Sequence, residues 1–166
     1  RSSKIVNLAH ENINKFIKNG DLLVRPLQHE LRLIMWKFCG VIKNEKLLSE
    51  GLTKIESIKN KLNDIDVRID KFNCEDLALI FDLQSSLISV KATIISAIER
   101  TESRGAHQRS DFPDLNPAFE FNCLVSMDEH KNLKTSKIPL KHLNDNLKKL
   151  IQNSRKEEDI RDKLLE

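Results

Sequence analysis

Aromatic residues and excess charge are both scarce in this sequence. Its 166 residues include no tyrosine and one tryptophan, and 28 basic against 25 acidic residues leave a net charge of +3. Proteins that bind nucleic acid use stacked aromatic rings or a clear basic stripe. The composition therefore disfavours a nucleic-acid-binding protein. Glycine and proline are also rare, with four of each, which favours a helical globular chain over a disordered one.

The cysteines Cys39, Cys74 and Cys123 are too far apart for metal-ligand or redox pairs, and they encode no iron–sulfur ligand set. We predict buried free thiols in a reducing compartment. We find no apolar run of 18 residues, so no membrane-spanning helix is predicted. The start, Arg1-Ser2-Ser3, lacks both an initiator methionine and an apolar signal core, which suggests a cut inside a longer protein.

Apolar residues recur at intervals of three or four through the first hundred positions, as on one face of a helix. This predicts a short helix over 3–18 and longer helices over Pro26–Cys39, Glu45–Asp70 and Asp76–Arg104. Asn44 is the expected cap of the third helix. That helix carries a near-heptad apolar seam at Leu48, Leu52, Ile55, Ile58, Leu62, Ile65 and Ile69. Short connections favour antiparallel neighbours, so the pattern predicts a mainly α fold, an up-and-down three-helix bundle like a spectrin repeat with an extra N-terminal helix.

The pattern changes after residue 113. Apolar and polar residues alternate over 119–125, and 134–140 can pair back with them, which predicts a small β-hairpin. Helical spacing returns from Pro139 to about Ile151, before a highly charged end. We therefore divide the chain into a helical bundle over 1–113 and a C-terminal extension of hairpin plus helix over 114–166. The extension is either part of the same domain or an appendage.

An unusual stretch from Thr101 to Pro113 gathers ionisable side chains just after the longest predicted helix. Gly105 is expected to end that helix in the left-handed conformation, with Arg100 and Arg104 in the last turn. The charges then lie on a loop anchored by a rigid element, a position that often carries function. Spacing alone favours a solvated helix end with ordinary capping charges.

Two blocks of residues carry a more specific pattern. The first is Glu102-Ser103-Arg104-Gly105-Ala106-His107, then Arg109 and Asp111-Phe112-Pro113. The second is Leu27, Leu31-Arg32-Leu33-Ile34-Met35-Trp36, Gly40-Val41, Asn44 and Glu45. In this order they resemble the C-terminal helical domain of succinate dehydrogenase and fumarate reductase flavoproteins; L-aspartate oxidase, a relative, has a similar motif. Lys43, where arginine is common, and the sequence at 114–119 depart from the family pattern.

The resemblance implies a three-helix domain packed against the FAD-binding domain of the same chain, in an oxidoreductase that interconverts succinate and fumarate. It also implies an iron–sulfur partner subunit, and a cytoplasmic location or a peripheral one at the inner face of a membrane through partner subunits. The first block would be an interdomain motif, made of Glu102, Ser103, Arg104, Gly105, His107, Arg109 and Asp111. Of these, Glu102, Ser103, Arg104 and His107 would make buried polar contacts at the seam. Trp36 would be a docking residue if it is exposed.

The chain alone carries no catalytic set. A dinucleotide is seated on a glycine-rich turn between a strand and a helix, and the four scattered glycines form no G-x-G-x-x-G pattern. Ser103 and His107 are four positions apart but lack a nucleophile elbow. We therefore expect this fragment to bind no cofactor or metal, with FAD held elsewhere in the parent protein.

Two alternatives stay open. The parent could be an L-aspartate oxidase of NAD biosynthesis, although the long stretch after Pro113 favours a dehydrogenase. The chain could also be a non-enzymatic helical interaction module. The apolar seam over 45–70 supports this second alternative, but such a protein has no need of the block at 101–113.

Overall fold

The computed structural model describes residues 2–17, 19–69, 74–140 and 144–153. Its helices are α1 (Ser2–Asn14), α2 (Val24–Phe38), α3 (Glu45–Lys61) and α4 (Glu75–Glu99), followed by a helical run at 145–153. Its strands are β1 (Ile42–Lys43), β2 (Gln108–Arg109), β3 (Phe121–Met127) and β4 (Leu133–Pro139). β1 pairs with β2 in parallel, and β3 pairs with β4 in an antiparallel hairpin. The predicted mainly α class with a C-terminal hairpin is confirmed.

Helices α2, α3 and α4 pack against one another around a single apolar core. Each helix contributes residues at helical spacing, so its apolar stripe is turned inward. The buried side chains are Val24, Leu27, Leu31, Ile34, Phe38, Leu48, Ile55, Ile58, Ile65, Val67, Ile80, Leu83, Leu87, Ile94 and Ala97. The Asn44 side chain caps α3 as predicted, accepting a hydrogen bond from the Leu47 amide at 2.9 Å.

The third helix is shorter than the sequence predicted. It ends at Lys61, a single 3₁₀ turn follows at Leu62–Asp64, and Ile65 is already extended. The Leu22 backbone holds this extended segment, with its amide donating to Asp64 O at 3.0 Å and its carbonyl accepting from the Asp66 amide at 2.7 Å. Asparagine and aspartate favour turns over helix interiors, which explains the early end. Ile65 is buried all the same, whereas Ile69 is exposed.

The fourth helix also ends earlier than predicted, at Glu99 instead of Arg104. Arg100 is extended, with ψ 95°, and no basic residue lies in the last turn. Gly105 does have positive φ, at 56°, but it belongs to a separate turn beyond the helix. The helix stops here because Arg100 and the residues after it turn inward to make the polar contacts described below.

By length and composition, α4 is apolar enough to cross a membrane, so our expectation that no such run exists is wrong. In the folded chain α4 instead packs against α2 and α3, which cover its Ile80, Leu83 and Ile94. A core helix passes the same composition test as a membrane span, because both are rich in apolar residues.

The β3–β4 hairpin lies against α4, and an ion pair joins Lys137 to Glu99 at 2.9 Å. Pro139 ends β4, so the predicted helix does not begin there. Among the residues described after Leu140, helical structure is found over 145–153. The prediction of buried thiols is also wrong in part: Cys74 is exposed, and Cys39 and Cys123 are half-buried. Residues 70–73, at the junction of the predicted third and fourth helices, residues 141–143 of the predicted C-terminal helix and the charged end from 154 lie outside the described residues.

Candidate functional site

The residues of the predicted interdomain motif form a compact polar cluster between the end of α4 and the start of α3. We use "polar cluster" for Glu45, Arg100, Glu102, Ser103, Arg104, Arg109 and Asp111. Glu102, Ser103 and Arg109 are buried within this chain. The cluster therefore joins segments of the chain that are far apart in sequence.

Glu102 is the centre of one half of the cluster. Its fully buried carboxylate accepts hydrogen bonds from Arg100 Nη1, from Arg104 Nε at 2.9 Å and from the Asn116 amide at 2.8 Å. The bond from Arg104, with further help from the Asn116 amide and Arg100, lowers the pKa of Glu102 to about 2. A carboxylate held this way is ionised at neutral pH and is unsuited to act as a general acid.

Arg109 is the centre of the other half. Its guanidinium donates from Nε and Nη2 to both oxygens of Asp111, at 2.7 and 2.8 Å, and from Nη1 to the Ala97 carbonyl at 2.7 Å. Nη2 also lies 3.2 Å from Glu45 Oε2. One buried cation therefore ties the last turn of α4 to the first turn of α3, in the two-pronged geometry that arginine makes well.

Asp111 connects the same cluster to the helix that follows β1. Its Oδ2 accepts from the Glu45 amide at 2.8 Å, at the N-terminus of α3, where a negative charge is favourable. The hydrogen bond from Arg109 lowers the pKa of Asp111 well below its usual range. The Ser103 hydroxyl accepts from the Arg109 amide at 2.8 Å and donates to Phe112 O at 2.9 Å, which fixes the loop between the two halves.

A tight turn at 104–107 brings the remaining motif residues to the surface. The amides and carbonyls of Arg104 and His107 exchange hydrogen bonds of 2.8 and 3.0 Å, with Gly105 at φ 56° between them. His107 is half-buried, its Nε2 is 3.1 Å from Arg100 O, and desolvation lowers the pKa of its ring. Gly105 and Ala106 are exposed. The motif thus combines the buried residues of the polar cluster with an exposed turn.

An exposed apolar strip begins on α2 and ends beside this turn. Trp36 is 82% exposed, and Leu33, one helical turn earlier, is also exposed. Beyond the end of α2, Val41 and Ile42 are 72% and 67% exposed. Ile42 is paired with Gln108 in the β1–β2 ladder, which places the strip next to the turn at 104–107. We call Leu33, Trp36, Val41 and Ile42 the apolar strip.

Two members of the polar cluster, Arg100 and Glu45, are not predicted from the sequence. Arg100 was assigned only to the helix dipole, yet it bonds Glu102 and also donates to the Phe119 carbonyl at 3.2 Å. Glu45 was treated as the start of a helix, yet it contacts Arg109. Glu45 follows the cap Asn44 and belongs to the second block of the family pattern, but nothing local indicated a partner 64 positions away.

Residues 28–158 match the family described as "Fumarate reductase flavoprotein C-term", which is more than half of the chain. The chain belongs to this flavoprotein C-terminal family. An uncharacterized FAD-dependent oxidoreductase of Methanocaldococcus jannaschii is 33% identical over 122 residues, 70% of this chain and 22% of that protein. The succinate dehydrogenase flavoprotein subunit of Rickettsia felis is 36% identical over 125 residues, 70% of this chain and 21% of that protein. L-Aspartate oxidase of Pyrococcus horikoshii is 33% identical over 90 residues, 54% of this chain and 15% of that protein.

Solved structures share the fold of this family member. Mycobacterium smegmatis Sdh1 in complex with UQ1 superposes with a TM-score of 0.74 at 21% identity, covering 84% of this chain and 24% of that one. Adenylylsulfate reductase from Archaeoglobus fulgidus superposes with a TM-score of 0.66 at 20% identity, covering 76% of this chain and 21% of that one. Our chain therefore spans about a quarter or less of the proteins it matches.

The residues of this family member do not fit FAD by themselves. Its only parallel strands are the two-residue β1 and β2 within the described ranges, and neither leads through a glycine-rich turn into a helix. Three of the four glycines are closely packed: an added Cβ would lie 2.2 Å from Asp64 O at Gly20, 2.7 Å from Trp36 O at Gly40 and 3.0 Å from the Phe38 side chain at Gly51. Within the same ranges, no group of three His, Cys, Asp or Glu side chains could hold a metal.

Proposed function

We propose that this chain is the C-terminal helical domain of an FAD-dependent flavoprotein that interconverts succinate and fumarate. Its role is structural: it supports contacts between domains and subunits and performs no chemistry alone. Membership of the flavoprotein C-terminal family carries this proposal. It is supported by the paired state of Glu102, Arg109 and Asp111, which leaves these groups suited to holding the fold instead of transferring protons.

The full-length protein tests the proposed activity directly. We expect its purified form to show a flavin absorbance spectrum and to reduce a dye when succinate is added. A full-length protein without flavin would overturn the proposal, and so would one that holds flavin but fails to oxidise succinate or reduce fumarate.

L-Aspartate oxidase is the second candidate for the parent, because a protein of that name is among the relatives. Succinate dehydrogenase is preferred because its match is 36% identical over 125 residues, compared with 26% over 125 residues for the L-aspartate oxidase that covers 74% of this chain. Supplying aspartate and succinate in parallel to the same flavin-loaded protein decides between them. Turnover of aspartate alone would favour the oxidase.

We further propose that the apolar strip and the turn at 104–107 together form the surface that meets the FAD-binding domain. A large exposed aromatic beside other exposed apolar residues is typical of a contact surface. The buried members of the motif, Glu102, Ser103 and Arg109, act indirectly here: they fix the turn so that Gly105 and Ala106 are presented at the end of the strip.

Trp36→Glu in the full-length protein tests this surface. A charge at the centre of an apolar contact is costly, so flavin should be released at a lower temperature than in the wild type. Ile138→Glu is the matched control, because Ile138 is 45% exposed on the hairpin and lies outside the strip. If both variants release flavin at the wild-type temperature, the strip is not the docking surface.

The extension up to residue 140 belongs, in this proposal, to the same domain as the bundle. Arg100 stacks on the Phe121 ring at 4.8 Å and donates to Phe119 O, while Lys137 pairs with Glu99.

We also propose an iron–sulfur partner subunit and a location peripheral to a membrane. Purification of the tagged full-length protein should recover an iron-containing subunit; recovery of an active flavoprotein with no such subunit would contradict this.

A further inference from the structure

The segment between α1 and α2 contains a reactive dipeptide that the proposed function does not use. Asn19 is the one asparagine of this sequence that is followed by glycine. Asparagine is a chemically labile residue, because the nitrogen of the next peptide group can attack its side-chain carbonyl carbon. Glycine has no Cβ, so it gives that nitrogen the least hindered approach. Asn19-Gly20 is therefore the place where the sequence most favours this reaction.

The fold leaves both reacting groups of this dipeptide available. Asn19 is exposed and lies between α1 and α2, in backbone without regular secondary structure. Among the residues that the structure describes, neither the Asn19 side chain nor the Gly20 amide has a hydrogen-bond partner. Asn7 is also exposed, but it lies inside α1, where the amide of Leu8 is held in the helix. Exposure and backbone thus separate Asn19 from an asparagine on a helix.

The chain that follows Asn19 is fixed in place. Gly20 packs so closely on the segment after α3 that an added Cβ would lie 2.2 Å from Asp64 O and 2.8 Å from the carbonyl carbon of Ile65. Two residues later, the Leu22 backbone is hydrogen-bonded to the same segment on both sides. A change in the link between Asn19 and Gly20 must therefore be absorbed on the α1 side.

The α1 side is anchored through Phe16. Its ring makes an edge-to-face contact with Phe81 of α4, with the ring centres 5.4 Å apart, and it packs against the core, whereas most α1 side chains are exposed. Phe16 and Gly20 are four positions apart. One extra main-chain bond adds about 1.5 Å between these two anchors. A gap of about 1 Å already removes a quarter to a half of a van der Waals contact, so the ring pair is the weak point.

We propose that Asn19-Gly20 modifies itself and that the product loosens α1 from α4. The Gly20 nitrogen gives up its proton and bonds to the side-chain carbonyl carbon of Asn19, whose bond to the amide nitrogen breaks, and ammonia leaves with that proton. The resulting imide ring takes up one water and opens to aspartate or isoaspartate. In isoaspartate, Gly20 is joined through the side-chain carbon, so the main chain gains one methylene. The proposed function is not needed for this reaction.

Mass spectrometry of the 166-residue chain after incubation in warm, mildly alkaline buffer tests the site. Incubation lasts until a synthetic peptide of residues 16–22 is fully converted. We expect the folded chain to release ammonia and to gain isoaspartate at position 19, detected by enzymatic methylation, while Asn7 stays unchanged. Asn19→Gln is the matched control, because its longer side chain needs a larger ring and should release little ammonia. A folded chain that keeps Asn19 intact would overturn the proposal.

Limited trypsin digestion tests the effect on α1. The converted chain, isolated by ion exchange through its new negative charge, should be cleaved after Lys15 faster than the wild type. Phe81→Ala, which removes the ring contact without changing the cleaved segment, gives the rate for a loosened α1. Asn19→Asp carries the same charge on an unlengthened main chain and should be cleaved at the wild-type rate; circular dichroism verifies that each variant folds. Equal cleavage of converted and wild-type chains would show that α1 is not loosened.

Discussion

Replacing Glu102 with glutamine should destabilise this domain strongly while barely changing side-chain volume. Glu102 is fully buried and receives hydrogen bonds from Arg100 and from Arg104, whose side chain is 38% exposed. Lowering the pKa from 4.5 to about 2 corresponds to about 3 kcal/mol of favourable interaction with the ionised form. Solvent screens part of the attraction to Arg104, so we expect Glu102→Gln to cost about 2–3 kcal/mol at neutral pH.

Urea unfolding of the 166-residue chain measures this cost as a lower midpoint at unchanged slope. The matched control is Glu99→Gln, which removes the partly exposed partner of Lys137 and should cost less than about 1 kcal/mol. If Glu102→Gln and Glu99→Gln unfold at the same urea concentration, the buried carboxylate does not stabilise the fold as argued.

The pH dependence provides a second check on the same residue. The pKa of Glu102 is lower in the folded chain than in the unfolded one, so its stabilisation is complete above about pH 4.5 and is lost as pH falls toward 2. The stability difference between wild type and Glu102→Gln should therefore narrow over that interval. A difference that is unchanged between pH 7 and pH 3 would refute the electrostatic explanation.

Three further substitutions, each measured by urea unfolding, test the polar cluster, the turn at 104–107 and the cap of α3. Arg109→Lys loses the two-pronged pair with Asp111 and the bond to Ala97 O, and should cost about 2–3 kcal/mol. Gly105→Ala should cost about 1 kcal/mol, because an added Cβ meets no atom within 4 Å and only the positive φ opposes it. Asn44→Ala removes the cap of α3 and should cost about 1 kcal/mol.

Each of these has a control in the same chain. Arg25→Lys, in an exposed ion pair, should barely change the free energy of unfolding. If Arg109→Lys changes it equally little, the buried contacts of Arg109 do not stabilise the fold as argued. Gly20→Ala should destabilise the chain more than Gly105→Ala, because the Cβ added at position 20 would lie 2.2 Å from Asp64 O. Asn60→Ala, at an exposed position inside α3, should be neutral or stabilising; a loss equal to that of Asn44→Ala would argue against capping.

The predicted elements that held are those whose evidence lies in the local sequence. The apolar spacing of α2, the cap at Asn44 and the alternation around Val125 depend on neighbours within a few residues, and each produced the expected helix, cap or strand. The family resemblance also rested on residues close together in sequence. The ends of α3 and α4 were wrong because the competing contacts are not local: Leu22 pairs with the chain beyond α3, and Glu102 draws Arg100 away from α4.

The sequence by itself determined that this chain forms a helical bundle with a hairpin, and that a polar motif follows the longest helix, because periodicity and turn chemistry act over a few residues. Only the tertiary structure decided what that motif does in the fold. Arg109 contacts Glu45 across 64 positions, and Glu102 contacts the amide of Asn116 across 14. Such contacts depend on how the helices are packed, and no local pattern records them. The same packing buries Glu102, Ser103 and Arg109 in the polar cluster and leaves Trp36 exposed at the surface.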